Sequence, residues 1–411
     1  MSDKATPVGG PVFTRSFNVL VALFAVACAI IVIRLWKGLG AVTALNDGYP
    51  WGLWIAYDVL VGAALATGGY AVAILVYILN KGKYHPLIRP ALVTSALGYS
   101  LAGLSVVIDI GRWWNVWKVP LFWGDYNLNS ILLEVALCIM AYTVVLWIEI
   151  SPAFMERWQE SKRPWLAKLS RNAKPKLEKI LLPLIALGMV LPTMHQSSLG
   201  SLFIIAGYKV HPLWQTALLP LLFLVSCVGM GYAAVVIESG LSSRLLHRKP
   251  ETKMLASLGL AAAIVTGIYL VLRFADLIWQ GKLALTFTSG GLSLLFWAEI
   301  ALFLVPILLL ARRSARYRLG NLFRAAMFLA LAGGLYRFST SLIAFDPGNG
   351  WTYFPSVGET LVTTGFVAFE VLAYIYLIKR FPILAGETTT RPAATTPARR
   401  PATVPAHAAA K

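Results

Sequence analysis

The sequence predicts an all-α, polytopic membrane protein of about ten transmembrane helices, and three observations carry that prediction. Of its 411 residues, 58% are hydrophobic and 13% charged, which is too apolar for an ordinary soluble domain. Nearly uncharged stretches long enough to cross a bilayer recur at short intervals, and most lack the polar stripe of a water-exposed helix. The net charge of +18 is concentrated in alternate loops, a topology pattern rather than a nucleic-acid surface.

The spans follow in order. Residues 16–38 form the first, behind MSDKATPVGGPVFTR, which lacks the layout of a secretory signal. The second, 51–80, carries Asp58 near its start. The third, 86–110, holds Tyr99 at mid-depth and ends on Asp109 and Arg112. Glu134 opens the fourth, 128–150. The fifth, 180–207, contains Met194-His195-Gln196-Ser197-Ser198 just after Pro192. Spans 213–239, 253–276, 286–311, 319–345 and 357–380 complete the set. The basic runs Lys162-Arg163, Lys174–Lys179, Arg244–Lys249 and Arg312–Arg318 share one side with Lys81, Lys83 and Lys379-Arg380. The positive-inside rule makes that side the cytoplasm and puts both termini there. Residues 1–15 then form a short cytoplasmic segment, and 381–411, rich in Thr, Pro, Ala and Arg, read as a disordered cytoplasmic tail. Anionic lipid, not nucleic acid, is the partner such charge selects.

An internal repeat organises the spans. Gly69-Tyr70-Ala71 in the second is echoed by Gly231-Tyr232-Ala233 in the sixth, and Glu134 in Leu-Glu-Val-Ala-Leu by Glu299 in Ala-Glu-Ile-Ala-Leu. Asp109–Trp113 and Arg273–Trp279 close the third and seventh spans alike. Three matches in order at nearly one offset predict two parallel four-helix bundles, 51–207 and 213–345, with the first and tenth spans flanking them.

Charged groups inside a bilayer cost several kcal/mol unless paired or wetted, so they are functional candidates. Asp58, Asp109, Arg112, Glu134 and His195 fall near the same depth of four successive spans. Together with Tyr99 and Gln196 they could serve a quinone head group. Its two oxygens need donors such as His, Tyr, Gln or Arg, and its redox chemistry needs a carboxyl group to exchange protons. On this reading Glu134 and Asp58 are the proton-exchanging pair, and His195, Tyr99, Arg112, Asp109 and Gln196 bind the quinone. Glu299, Glu370, Arg337, Arg273, Asp276, Glu149 and Glu238 are spread across the bilayer and could form a proton route. The blander alternative is that the arginines among them neutralise the acids in ion pairs that hold the bundle together. Cys28, Cys138 and Cys227 stand singly, which argues against an iron–sulfur cluster or other metal site. His195 is the one histidine at depth, since His85, His211, His247 and His407 lie at span ends or in loops. On that count no haem is expected, with ligation by His195 and Met189 or Met194 the alternative left open.

At PWGLWIAYDVLVGAALATGGYA (50–71), GDYN (124–127) and PTMHQSSLGSL (192–202) the chain resembles the NrfD/PsrC-like family of polysulfide-reductase membrane subunits. Within that family it is most similar to the HybB-type integral subunits of Hyb nickel–iron hydrogenases. The resemblance covers nearly all of residues 16–380. It implies a haem-free subunit of two four-helix bundles in the bacterial inner membrane, exchanging electrons with menaquinone or ubiquinone. Electrons would come from a periplasmic ferredoxin-like iron–sulfur subunit and the small and large hydrogenase subunits. The acid important to the family matches Glu134, and Asp58, Tyr99 and His195 fall in matching segments. Two alternatives stay open: a subunit of another quinone-linked oxidoreductase acting on sulfur compounds or quinol, and a secondary transporter, for which repeats and midplane charges are also expected.

Overall fold

The computed structural model describes residues 5–122, 124, 126–248 and 250–385. Among the described residues, ten helices are long and apolar enough to cross a membrane. They are α1 (Arg15–Lys37), α2 (Trp54–Ile78), α3 (His85–Asp109), α4 (Ile131–Gln159), α5 (Pro164–Ile205), α6 (Leu219–Leu245), α7 (Thr252–Trp279), α8 (Gly291–Ala311), α9 (Leu319–Ile343) and α10 (Val357–Arg380). The chain is therefore a multi-pass, all-helical membrane protein. Lys249, Asp125 of the GDYN string, His407 and the tail from 386 onward lie outside the described residues.

Local chemistry sets the helix ends. Thr14 caps α1 by accepting from Phe17 N, and Gly38 ends it at φ 94°, a backbone angle that favours glycine. Ser130 accepts from Leu133 N at the start of α4. Ser356 and Glu359 form a reciprocal capping box on α10. In α2 the chain departs from α geometry: π turns run over Trp54–Gly62 and Ile74–Ile78. A third π turn, Ser339–Ile343, finishes α9. Such turns cluster at functional positions, and Asp58 sits within the first.

Helices α2 to α5 pack as successive neighbours, α6 to α9 do the same, and α1 lies along α10 against α3. The two groups meet where α2 crosses α6, at the glycine motifs that the repeat singled out. A Cβ on Gly231 would lie 2.8 Å from Thr67 Oγ1 and 2.9 Å from Thr67 O, so only hydrogen fits there. Thr67 Oγ1 in turn lies 3.0 Å from Cys227 O on the facing helix. Small residues and a hydroxyl-to-carbonyl bond are how helices associate where burial from water gives no drive.

Several boundaries differ from the sequence reading: α4 runs on to Gln159 rather than ending near 150, and α6 covers Leu219–Leu245 rather than 213–239. Helix α5 begins at Pro164 rather than near 180 and runs 42 residues. The Lys174–Lys179 run ends the apolar span but not the helix, since lysine is a good helix former. Residues 381–385, assigned by sequence to the tail, are folded: Ile383 and Leu384 are buried, and Pro382 O accepts from Arg89 Nη1 at 3.0 Å. Arg89 also grips Glu156 with two bonds of 2.8 and 2.9 Å, and Lys174 approaches the same carboxylate at 3.5 Å.

The α2–α6 crossing gives a direct test. Gly231→Ala should destabilise the folded protein by about 1–3 kcal/mol through overpacking. Gly267→Ala, where a Cβ would meet nothing within 4 Å, should be neutral or slightly stabilising. Thermal unfolding in detergent measures both, and equal melting temperatures for the two variants would refute the close crossing.

Candidate functional site

The fifth helix brings most of the site together. Pro192 removes a backbone donor within α5, and the hydroxyls around it turn onto helix carbonyls. Thr193 Oγ1 donates to Met189 O, and Ser197 Oγ to Met194 O, both at 2.8 Å. Ser198 Oγ lies 2.8 Å from Met194 O and 2.7 Å from Glu134 Oε1 of α4. A hydroxyl has one proton, so it donates to one of these oxygens at a time. When Glu134 is protonated its own O–H can donate to Ser198, which then donates to Met194 O, and both contacts hold. When Glu134 is ionised it competes with that carbonyl. Protonation of Glu134 thus reverses the direction of a hydrogen bond at the start of α4.

One turn before Ser198, His195 is fully buried, and neither ring nitrogen has a hydrogen-bond partner. Its ring lies 5.7 Å from that of Tyr99, which lies 4.5 Å edge-on from Tyr142. The Tyr99 hydroxyl and Gln196 Nε2 are likewise buried and unpartnered. Orphaned buried polar atoms are rare in native proteins and usually mark a water or ligand. Gln196 Oε1 accepts from Arg337 Nη2 at 3.4 Å, which ties this cluster to α9. On α4 a single face carries Glu134, Cys138, Tyr142 and Glu149 at helical spacing. Glu149 sits against Gly188 of α5.

The five ionisable residues read at one depth do not form one site. Glu134 and His195 share the α4–α5 interior. Asp58 faces away from it and accepts from Thr363 Oγ1 of α10 at 3.1 Å. Arg112 is exposed and joins no cluster. Asp109 is half-buried, with Oδ1 unpartnered, beside a residue that the sequence reading passed over. That residue is Arg34 of α1, only 1% exposed, whose guanidinium bonds Ile108 O and Ile110 O where α3 ends. An arginine inside the first apolar span was a visible signal for it.

The seven groups read as a proton route also divide. Glu149 lies in the first bundle. In the second, Glu299 accepts from Trp214 Nε1 at 3.0 Å, and Arg273 donates to Leu213 O at 2.8 Å. Asp276 Oδ1 accepts from Gln280 at 2.8 Å. Arg337 bonds Ser226 Oγ, Phe223 O, Gly333 O and Met230 Sδ at 3.2–3.3 Å. Among the described residues Arg273 and Arg337 make no ion pair with Glu299, Glu370 or Asp276. Backbone and side-chain dipoles make the direct contacts to these guanidiniums, while Glu299 and Asp276 act on Arg273 through charge at longer range.

Glu238 and Glu370 belong to a third place. A cleft of about 1000 Å³ lies between α10 and the pair α6 and α9. Its walls are apolar except for Asp58, Thr94, Glu238, Glu370, Tyr374 and a few hydroxyls and termini-proximal groups. Glu238 accepts from the Tyr374 hydroxyl and, at 3.3 Å, from Thr94 Oγ1.

Ten apolar helices enclosing clusters of buried, partly unpartnered polar groups define an integral membrane protein equipped to bind or exchange something polar within the bilayer. The chain belongs to the polysulphide reductase NrfD family, whose model matches residues 41–343. It is 43% identical to the "Probable Ni/Fe-hydrogenase 2 b-type cytochrome subunit" of Escherichia coli K12, over 93% of this chain and 96% of that protein. The "Menaquinone reductase, integral membrane subunit" of Nitratidesulfovibrio vulgaris is 30% identical over 86% of this chain and 87% of its own length. A polysulfide reductase polypeptide of Wolinella succinogenes is 26% identical, over 58% of this protein and 75% of its own length.

The first of these names corrects one expectation. The chain was expected to be without haem, and a relative matching it almost end to end is named a b-type cytochrome subunit. Counting histidines excludes only ligation by two imidazoles, and haem iron also takes other axial ligands, such as Met. His195, with both ring nitrogens unengaged, is the described histidine at depth that would hold such a group. A haem there would supply one-electron transfer.

The orphaned hydroxyl gives a stability test. Tyr99→Phe removes a buried group that has no partner in the protein, so it should change stability by no more than about 0.5 kcal/mol. Tyr70→Phe breaks a 2.8 Å bond to Thr193 Oγ1 and should cost about 1 kcal/mol. Chemical or thermal unfolding of both variants would compare them, and a larger loss for Tyr99→Phe contradicts the reading of Tyr99 as unpartnered.

Proposed function

We propose that the protein is the quinone-reactive membrane subunit of a respiratory complex in the bacterial inner membrane. It passes electrons between a periplasmic iron–sulfur subunit of a nickel–iron hydrogenase and membrane menaquinone or ubiquinone. The observation that carries this reading is the set of unpartnered donors on Tyr99, His195 and Gln196, one turn from a carboxyl–hydroxyl pair, Glu134–Ser198. Two ring oxygens need donors and two electrons need two protons, and this group supplies both kinds of atom. Glu134 gives or takes the proton through Ser198, and Glu149, on the same α4 face towards the basic side, exchanges it with the cytoplasm. Asp58, bonded to Thr363 on another wall, serves as a second protonatable group. Relatives named for hydrogenase 2, menaquinone reductase and polysulfide reductase support quinone-linked electron transfer. The menaquinone reductase name keeps another quinone-linked oxidoreductase as the second reading. The basic loops support a topology with both termini in the cytoplasm, and the matched glycine motifs at the α2–α6 crossing support a parallel repeat over 51–207 and 213–345.

In the complete complex, Glu134→Gln should abolish hydrogen-dependent quinone reduction. Hydrogen oxidation with an artificial dye should survive, because the dye takes electrons before this subunit is reached. His195→Ala should raise the KM for quinone more than it lowers kcat. Near-normal quinone turnover in Glu134→Gln moves proton exchange elsewhere. The topology has its own check: reporter fusions after Ala385 and within the 346–355 loop should report opposite compartments, and a shared compartment would be incompatible with it.

A further inference from the structure

The cleft between α10 and the α6–α9 pair is not accounted for by the donor cluster around His195. None of Glu134, Tyr99, His195 or Gln196 lines it. Its rim is lipid-facing: Met327 and Leu331 on α9, and Val367 and Val371 on α10, are 40–55% exposed. Its floor carries three carboxyl groups, and two are satisfied within the protein, Asp58 by Thr363 and Glu238 by Tyr374 and Thr94. Glu370 makes no hydrogen bond or ion pair among the described residues. It lies on the same face of α10 as Thr363 and Tyr374, about 10 Å and about 6 Å away along the axis at 1.5 Å per residue. Its Oε1 points towards Gly98 of α3, 3.6 Å from where a Cβ there would stand.

An unpartnered carboxyl group at mid-membrane, in a pocket open to lipid, is costly to keep. A plain acyl chain filling the cleft would leave that cost in place. A lipophilic molecule bearing a carbonyl or hydroxyl removes it, since a protonated carboxyl donates to a carbonyl and an ionised one accepts from a hydroxyl. The volume falls within the range of small-molecule sites, and the open rim lets a long tail leave sideways into the bilayer.

We propose that this cleft is a second, lateral binding site for a prenyl quinone or quinol, with Glu370 on a ring oxygen and the isoprenoid tail emerging between α9 and α10. The site rests on the quinone reading above and deepens it. It holds the substrate in both redox states and requires no electron transfer of its own, so the His195 cluster draws on a quinone already bound to the protein.

The test uses the complete complex and a short-chain naphthoquinone carrying a photoreactive azide. Labelling is expected on peptides from α9 or α10. Glu370→Leu removes one hydrogen bond to an acid group and should cut that labelling roughly tenfold. Ala330→Trp fills the cleft from α9 without touching a carboxyl group and should do the same, so a folding failure in one variant leaves the other to decide. Glu134→Gln, in contrast, should lose quinone turnover and keep the α9–α10 label. Labelling confined to α3 to α5, or unchanged by Ala330→Trp, overturns the cleft site while leaving the quinone reading intact. Phospholipid recovered from the cleft in the native complex and not displaced by the probe overturns it as well. A wild-type complex that neither binds the probe anywhere nor reduces quinone removes the underlying reading too.

Discussion

Everything inside this protein answers to one constraint: in the bilayer interior no bulk water is at hand to satisfy a polar atom. Arg337 shows how the constraint is met. Its guanidinium is fully buried and bonds two carbonyls, a serine hydroxyl, a glutamine oxygen and a thioether drawn from α5, α6 and α9. One side chain thereby fixes the relative positions of three helices. The same accounting explains why serines and threonines recur along α5, where each hydroxyl returns to a carbonyl of the preceding turn. It also marks the unpartnered atoms on His195, Tyr99 and Gln196, like those on Tyr269, Arg273 and Glu299 in the second bundle, as places that call for a water or a ligand.

The helices themselves were legible, because a span of apolar residues bounded by basic loops has few other ways to fold. The repeated Gly-Tyr-Ala motif was legible too, and it falls at one of the crossings where hydrogen alone fits, between α2 and α6. Hydropathy misplaced the start of α5, because it senses the bilayer's edge and not the helix's. The site was half legible. Sequence depth placed Asp58 and Glu134 together, but depth gives height in the membrane and not the direction a side chain faces. Asp58 turns to α10 and Glu134 to α5. Arg112 lies past the end of α3, where water can reach it, so its charge carried no information about the interior. The haem expectation failed for another reason: residue counts exclude one ligation geometry and leave the others standing.

Among the described residues, acids and bases in the membrane interior make no direct ion pair. The ion pairs among the described residues, Arg89–Glu156, Arg157–Glu160 and those of Lys174, all lie on the side of the basic loops. Deeper in, Glu299 has an indole, Glu134 a serine, and Arg273 a backbone carbonyl. A carboxyl group locked to a guanidinium is a poor proton carrier, because losing its charge strands the partner. One held by neutral donors can gain or lose a proton at smaller cost, and that is the arrangement proton exchange requires.

The overhang of α5 has an electrical consequence. At 1.5 Å per residue, 42 residues span about 63 Å, roughly twice the hydrocarbon thickness of a bilayer. Its first half projects beyond the membrane carrying Lys168, Arg171, Lys174, Lys176 and Lys179. A leaflet rich in anionic lipid gathers protons and makes its surface more acidic than the bulk. A rigid row of cations standing over that leaflet cancels part of its potential within a Debye length. At that surface the local pH is therefore closer to that of the bulk solution than it is at bare lipid.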